Sequence, residues 1–195
     1  MRFGQFRTLV VAAAGALLIN ACGMSDGPFA PQQAAPTNPA SRSLLSSSVT
    51  VTPLNRTKPL AKPITTSASV GVLGGKLSIP EAGLTVIVPP LALKSAKLVT
   101  ITALAGSSVA YTFEPQGTTF LVPLVVTQDL RNTDAKSSGL INPLSLFVGY
   151  FPDNKNILSV TELLNVGVNL LNQSATFTVT HFSGYIVASG RQEEE

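Results

Sequence analysis

Tryptophan is absent from this 195-residue chain, and cysteine and histidine occur once each, as Cys22 and His181. One cysteine excludes an intrachain disulfide, so a domain exported to an oxidising compartment must be held by core burial. One cysteine and one histidine also fall short of the nitrogen and sulfur ligands of a zinc site, so no metal is expected. Charge is scarce: Asp, Glu, Lys and Arg make up 12% of the residues, against 45% hydrophobic. Such a chain is too apolar to be wholly disordered. The formal net charge is +3, but two of the basic residues, Arg2 and Arg7, stand at the extreme amino terminus. Without them 11 basic residues face 10 acidic ones, and no basic stripe remains for a phosphate backbone. Nucleic-acid binding is therefore not expected. There is no glycine-rich phosphate loop and no cofactor is expected. Asp129, Asp134 and Asp153 do not assign a Ser–His–Asp arrangement. Asp153-Asn154-Lys155-Asn156 lacks the acidic ligand series of a calcium loop and reads as a hairpin turn.

What is present first is an export signal. Arg2 and Arg7 precede the apolar run TLVVAAAGALLI over 8–19. About a dozen apolar residues suit a signal core, whereas a spanning helix needs about 20. The run closes on Leu18-Ile19-Asn20-Ala21-Cys22, which resembles a bacterial lipobox, with Asn20 as its one departure. The resemblance implies a diacylglycerol on the Cys22 thiol and cleavage before it, with the thiolate as nucleophile toward lipid. The expected partner there is lipid through Cys22. The expected location is the cell envelope, at the outer membrane if the host has one, since Gly23 and not Asp follows.

From Gly23 to 69 the composition shifts to Ser, Thr, Ala, Asn and Gln punctuated by seven prolines, Pro28 to Pro63. This predicts a disordered tether, too poor in apolar surface to offset chain entropy.

From 70 onward the period is two. Leu77 and Ile79 share a face before the turn Pro80-Glu81-Ala82-Gly83; Leu84, Val86 and Val88 alternate up to Pro89-Pro90. Val99, Ile101 and Ala103 alternate with Thr100 and Thr102; Val109, Tyr111 and Phe113 follow the turn at Gly106. Further strands are expected over 121–128, interrupted by Pro123, over 144–151 and over 174–182. The stretch 156–171 fits a helix or two strands, and Val166-Val168-Leu170 favours strands. The fold class is therefore all-β: a single antiparallel β-sandwich preceded by a disordered linker and signal segment. The expected boundaries are 1–21 for the signal, 22–69 for the lipidated Cys22 and tether, 70–190 for the sandwich and 191–195 for an acidic tail.

Four segments then resemble, in order, the ZU-five domain shared by ankyrins, netrin receptors and zona-occludens scaffolds. They are Gly74-Gly75-Lys76-Leu77, Val88-Pro89-Pro90 with Ala92-Leu93, Phe113 to Phe120 (FEPQGTTF), and His181-Phe182-Ser183-Gly184-Tyr185. The resemblance spans about 74–188 and implies a sandwich that contacts proteins. Its bland reading is structural: Gly117 for a backbone angle other residues avoid, Phe113 and Phe120 for the core.

His181-Phe182-Ser183 also resembles the self-cleavage segment of an autoproteolytic ZU-five relative and, locally, of an autoproteolytic nucleoporin. The resemblance implies attack of Ser183 Oγ on the Phe182 carbonyl, with His181 moving the proton and water hydrolysing the ester. Parity places His181 and Ser183 on the face of Ala175, Phe177 and Val179. Residues two apart in a strand lie about 6.5–7 Å apart, so the reaction needs a bend, which Gly184 would allow. The alternative is a packed histidine at a strand end with Ser183 in a turn.

The expected function is a membrane-anchored extracytoplasmic module, non-enzymatic, structural or binding an unspecified protein partner. Self-cleavage is the first alternative. A carbohydrate-binding module is the second, weakened by the lack of Trp and by only three tyrosines, Tyr111, Tyr150 and Tyr185.

Overall fold

The computed structural model describes residues 42–137 and 142–191. The signal over 1–21, Cys22, the tether as far as 41 and the tail from 192 lie outside the described residues. Among the described residues the strands are β1 Arg42–Pro53, β2 Asn55–Leu60, β3 Ile64–Val70, β4 Gly75–Ile79, β5 Leu84–Val88, β6 Lys97–Ala103, β7 Gly106–Ser108, β8 Ala110–Glu114, β9 Thr119–Asp129, β10 Phe147–Phe151, β11 Ser159–Asn165, β12 Gly167–Asn169, β13 Ser174–His181 and β14 Gly184–Arg191. Among the described residues a four-residue helix, Asp134–Ser137, is the one α-helix.

The strands form two main antiparallel sheets. Seven run in the order β1-β11-β10-β14-β8-β6-β3 and five in the order β12-β13-β9-β5-β4, with β2 and β7 as a separate pair. The alternation visible in the sequence becomes the inner faces of the sandwich. Leu77, Val86, Val126 and Phe177 from the five-stranded sheet meet Val99, Ile101, Phe113 and Tyr185 from the other, all buried in one core. Both 156–171 strands form, as β11 and β12.

A second core follows from closure. Strand β1 pairs with β11 through its first part and with β14 through Val51, Thr52 and Pro53. Since β11 pairs with β10 and β10 with β14, these four strands close into a ring. Val51, Phe151, Val160, Leu163 and Ile186 fill a core of their own, together with Ala188. A ring of four strands leaves little interior, because barrel diameter falls with strand number. Gly149 and Gly184 supply the missing room. A Cβ on Gly149 would lie 2.4 Å from Val160 Cγ1, and one on Gly184 2.1 Å from Phe151 Cε2.

Four expectations need correction. The tether does not extend to 69: β1, β2 and β3 lie between 42 and 70, and Val51 and Leu54 are fully buried. Proline and hydroxyl residues looked like linker but suit edges. Pro53 ends β1, Pro63 precedes β3, and β3 is an outer strand. Its Thr65 and Ser67 hydroxyls bond Thr102 and Thr100 at 2.9 and 2.8 Å on the solvent side. The strand over 144–151 begins only at Phe147, because Asn142 caps a 3₁₀ turn at Pro143–Ser145. The turn at Gly106 is itself a short strand, β7. Finally, β9 runs through Pro123 rather than being interrupted there; what fails is its pairing, described below.

Because Gly184 sits against an aromatic ring rather than in a bend, Gly184→Ala should cost about 3 kcal/mol, at the upper range for overpacking. Gly75→Ala, whose added carbon would make an ordinary 3.6 Å contact with Val70, should stay within about 1 kcal/mol of wild type. Chemical denaturation of the two variants checks this; equal losses would contradict the packing account.

Candidate functional site

Two motifs singled out in the sequence meet in space. The turn after β8 is closed by Thr118 N–H donating to the Pro115 carbonyl at 3.3 Å, with Gly117 at φ +75°. That left-handed angle accounts for the glycine, since a Cβ there would meet nothing within 4 Å. The turn then grips the end of β13. Phe182 N–H donates to the Thr118 carbonyl at 2.8 Å, and Gly117 N–H donates to the Phe182 carbonyl at 3.1 Å. The Ser183 carbonyl accepts from Phe113 N–H at 2.9 Å. The peptide between Phe182 and Ser183 is thus held on both sides by β8 and its turn.

The irregular pairing decides which side chain enters the core. Val179 faces Leu124 and His181 faces Thr119, so the four residues 120–123 of β9 stand against Thr180 alone. Pro123, which has no N–H to offer the ladder, lies in this stretch. Alternation of burial ends there. Val179 and Phe182 are buried while His181 is half-buried. The expected core position of His181 is therefore taken by Phe182, which stacks on Phe113 at 6.0 Å and meets Phe120 edge-on at 4.7 Å.

His181 sits between two tyrosines. Its ring centroid is 5.2 Å from Tyr150 and 5.9 Å from Tyr185. Tyr185 Oη donates to the His181 carbonyl at 2.7 Å and lies 3.5 Å from its Nδ1. Ser183 is buried at the start of the β13–β14 connection. Among the described residues no hydrogen bond joins the His181 ring to the Ser183 hydroxyl. The backbone does bend, at Ser183 between β13 and β14, although neither Phe182, Ser183 nor Gly184 has a positive φ. The chemical asset is the Gly117 N–H, which lies on the oxygen that would carry negative charge if Ser183 attacked.

A second polar centre had no signal in the sequence. Arg56 of β2 is 6% exposed, and its Nη1 donates to the Ser108 carbonyl of β7. The guanidinium carbon lies 5.5 Å from the centre of the Tyr111 ring. The Tyr111 hydroxyl, also buried, has two acceptors within reach of its one hydrogen, the Ala82 carbonyl at 2.9 Å and Gln128 Oε1; Gln128 Nε2 donates to the Ala82 carbonyl at 3.1 Å and the Asp129 carbonyl at 2.8 Å. Arg56 Nε and Nη2, by contrast, have no hydrogen-bond partner among the described residues. A cleft of about 570 Å³ opens beside this group. Its residues lie between 56 and 133 in the sequence, in segments that look like tether, turn and strand, so no local pattern marks them.

Among the described residues no group of three or more His, Cys, Asp or Glu side chains gathers as a metal site would. Cys22 lies outside the described residues. No protein-family model matches the chain, and no curated protein sequence matches it.

Burial pushes the Tyr111 pKa up to about 12, with the Arg56 charge working against that rise. The folded state therefore favours the neutral phenol. Its contribution is intact below pH 10, the unfolded value, and is lost as pH rises through 12. Stability should fall by roughly 2–3 kcal/mol across that window. Urea denaturation at successive pH values checks this, and Tyr111→Phe should flatten the slope.

Proposed function

We propose that this protein is a lipid-anchored extracytoplasmic β-sandwich, a relative of ZU-five modules, that presents one end of its sandwich to a protein partner. The carrying observation is an apolar loop cluster. Leu91 N–H donates to the Val72 carbonyl at 2.7 Å, and Leu121 N–H donates to the Ala92 carbonyl at 3.1 Å. These two bonds stitch two loop segments to the start of β9, and the side chains there face solvent: Leu73 is 87% exposed, Leu91 65% and Leu121 63%. Leu91 holds φ +65°, a left-handed conformation that costs a branched residue about 1–2 kcal/mol. A strained leucine pointing into water is poor for stability and suited to contact. Exposed Lys94 and Lys97 flank the cluster, with Glu114 as the acidic residue nearby, so a partner with acidic side chains around an apolar centre fits it.

Register supports an outward-facing role. Arg42 pairs opposite Leu164, and Leu164 opposite Val148, which faces Val187. The Leu73 loop follows Val70 and the Leu91 loop precedes Lys97, and these two residues pair at the far end of the same sheet. The Arg42 end and the apolar end therefore lie at opposite ends of this sheet.

Cys22→Ala should move the protein from the membrane to the soluble envelope fraction; unchanged partition refutes the anchor. A photo-crosslinker at position 91 should give one discrete protein adduct in intact cells, lost on Leu73→Asp with Leu121→Asp. The same probe at Leu171 should not give it. Leu91→Gly should raise stability by about 1 kcal/mol while weakening the adduct. An adduct that survives the aspartate pair refutes the contact surface.

A second reading, self-cleavage between Phe182 and Ser183, is favoured by the Gly117 N–H on the Phe182 carbonyl. Intact-mass measurement over days should show a fragment beginning at Ser183, absent from Ser183→Ala. A persistent full-length mass identical in both proteins ends this reading.

A further inference from the structure

We propose that the cleft beside Arg56 binds a small organic carboxylate with an apolar body, held by the side-on fork of the Arg56 guanidinium. The argument begins with an imbalance. A buried cation is costly unless it is paired, and one nine-tenths buried calls for an anion. Arg56 is 6% exposed and makes no ion pair among the described residues. Its single hydrogen bond uses Nη1, toward Ser108. The unpartnered atoms are Nε and Nη2, two parallel N–H donors on the same edge of the planar group; both are buried, so a carboxylate engages them as the side chain turns that edge toward the cleft. That edge matches the two oxygens of a carboxylate.

The anchor is rigid. Arg56 backbone bridges to Thr133, Thr57 N–H donates to the Asn132 carbonyl at 3.0 Å, and the guanidinium rests on the Tyr111 ring. Gln128 lines the cleft, and its bonds to Tyr111 and to the Ala82 carbonyl hold it in place. At about 570 Å³ the cleft falls within the range of small-molecule sites.

The remaining walls select the ligand. Pro59, Leu60 and Ile64 provide an apolar side, and exposed Lys58 adds one positive charge. Glu81 and Asp129 oppose a second negative charge, although Asp129 is engaged by Arg131 through Nε at 2.9 and 3.0 Å. One fork, one further cation and two carboxylates suit a monoanion. A phosphate dianion would meet more repulsion and leave the apolar wall uncovered.

The test uses the full chain labelled with ¹⁵N, benzoate as probe, and inorganic phosphate and benzamide as comparators. Benzoate should shift the Arg56 Nε–H resonance saturably, and phosphate and benzamide should bind at least about tenfold more weakly. Arg56→Met should keep the β-sheet circular dichroism and lose benzoate-induced thermal stabilisation. If that variant fails to fold, Arg56→Lys, which keeps the charge but not the fork, should bind about tenfold more weakly than wild type. No Nε shift at a benzoate concentration on the order of 10 mM overturns the site. Equal binding of phosphate or benzamide overturns the carboxylate assignment, and undiminished benzoate binding in the folded variants overturns the role of Arg56.

Discussion

Strand β14 is the wall shared by two cores, and the rest of the domain is arranged around that constraint. Residues 184–188 are all buried. Tyr185 and Val187 face the space between the sheets, while Ile186 and Ala188 face the interior of the four-strand ring. A strand buried on both sides must satisfy its backbone entirely within the protein. Strand β14 does so by pairing with β10, β8 and β1. Its side chains also divide by size. On the ring side Gly184 makes room for Phe151, as Gly149 of β10 does for Val160, while Tyr185 on the other side braces Phe113 at 5.7 Å. A cut before Ser183 would leave this strand held by three neighbours, so cleavage and unfolding are separable events in this architecture.

How much of this was legible depended on how local the determinant was. The strands from 76 to 103 and from 174 to 181 announced themselves because each has one wetter face and one dry face, and period two records that difference. Strand β14 did not, because Tyr185-Ile186-Val187-Ala188 is apolar throughout and carries no alternation. The opposite error hid β1 to β3. Their Thr, Ser and Pro residues have the composition of a linker, and only the partners Thr100, Thr102 and Leu164, far along the chain, turn them into edges. The exchange of His181 for Phe182 in the core was invisible for a similar reason: the extra residues lie in β9, about 60 positions earlier.

The two polar centres differ in the same way. The meeting of the Gly117 turn with Phe182 involves two motifs that each stand out, so the sequence named the parts without their contact. The Arg56 centre is assembled from a buried arginine, a core tyrosine and a strand glutamine, each unremarkable in its own segment. A tyrosine at the core edge whose hydroxyl is spent on Ala82 and Gln128 fixes the floor of the cleft, and the guanidinium above it is left with donors in excess. Fold stability and polar specificity are here supplied by different residues, the first by the paired sheets and the second by the β2 and β7 segments laid against them.

Ring closure by β1 also decides how the domain bears a load. Strand β1 lies antiparallel to β11 along its first part and to β14 along its second, and the apolar loops occupy the far end of the sheet. Hydrogen bonds between antiparallel strands run perpendicular to the strand axis. A pull from the amino-terminal side against a weight held at the loops would act along that axis, loading the β1 ladders in shear, many bonds together. A pull across the sheet would peel them singly. The arrangement is that of a link in a chain, strongest against tension along its strands.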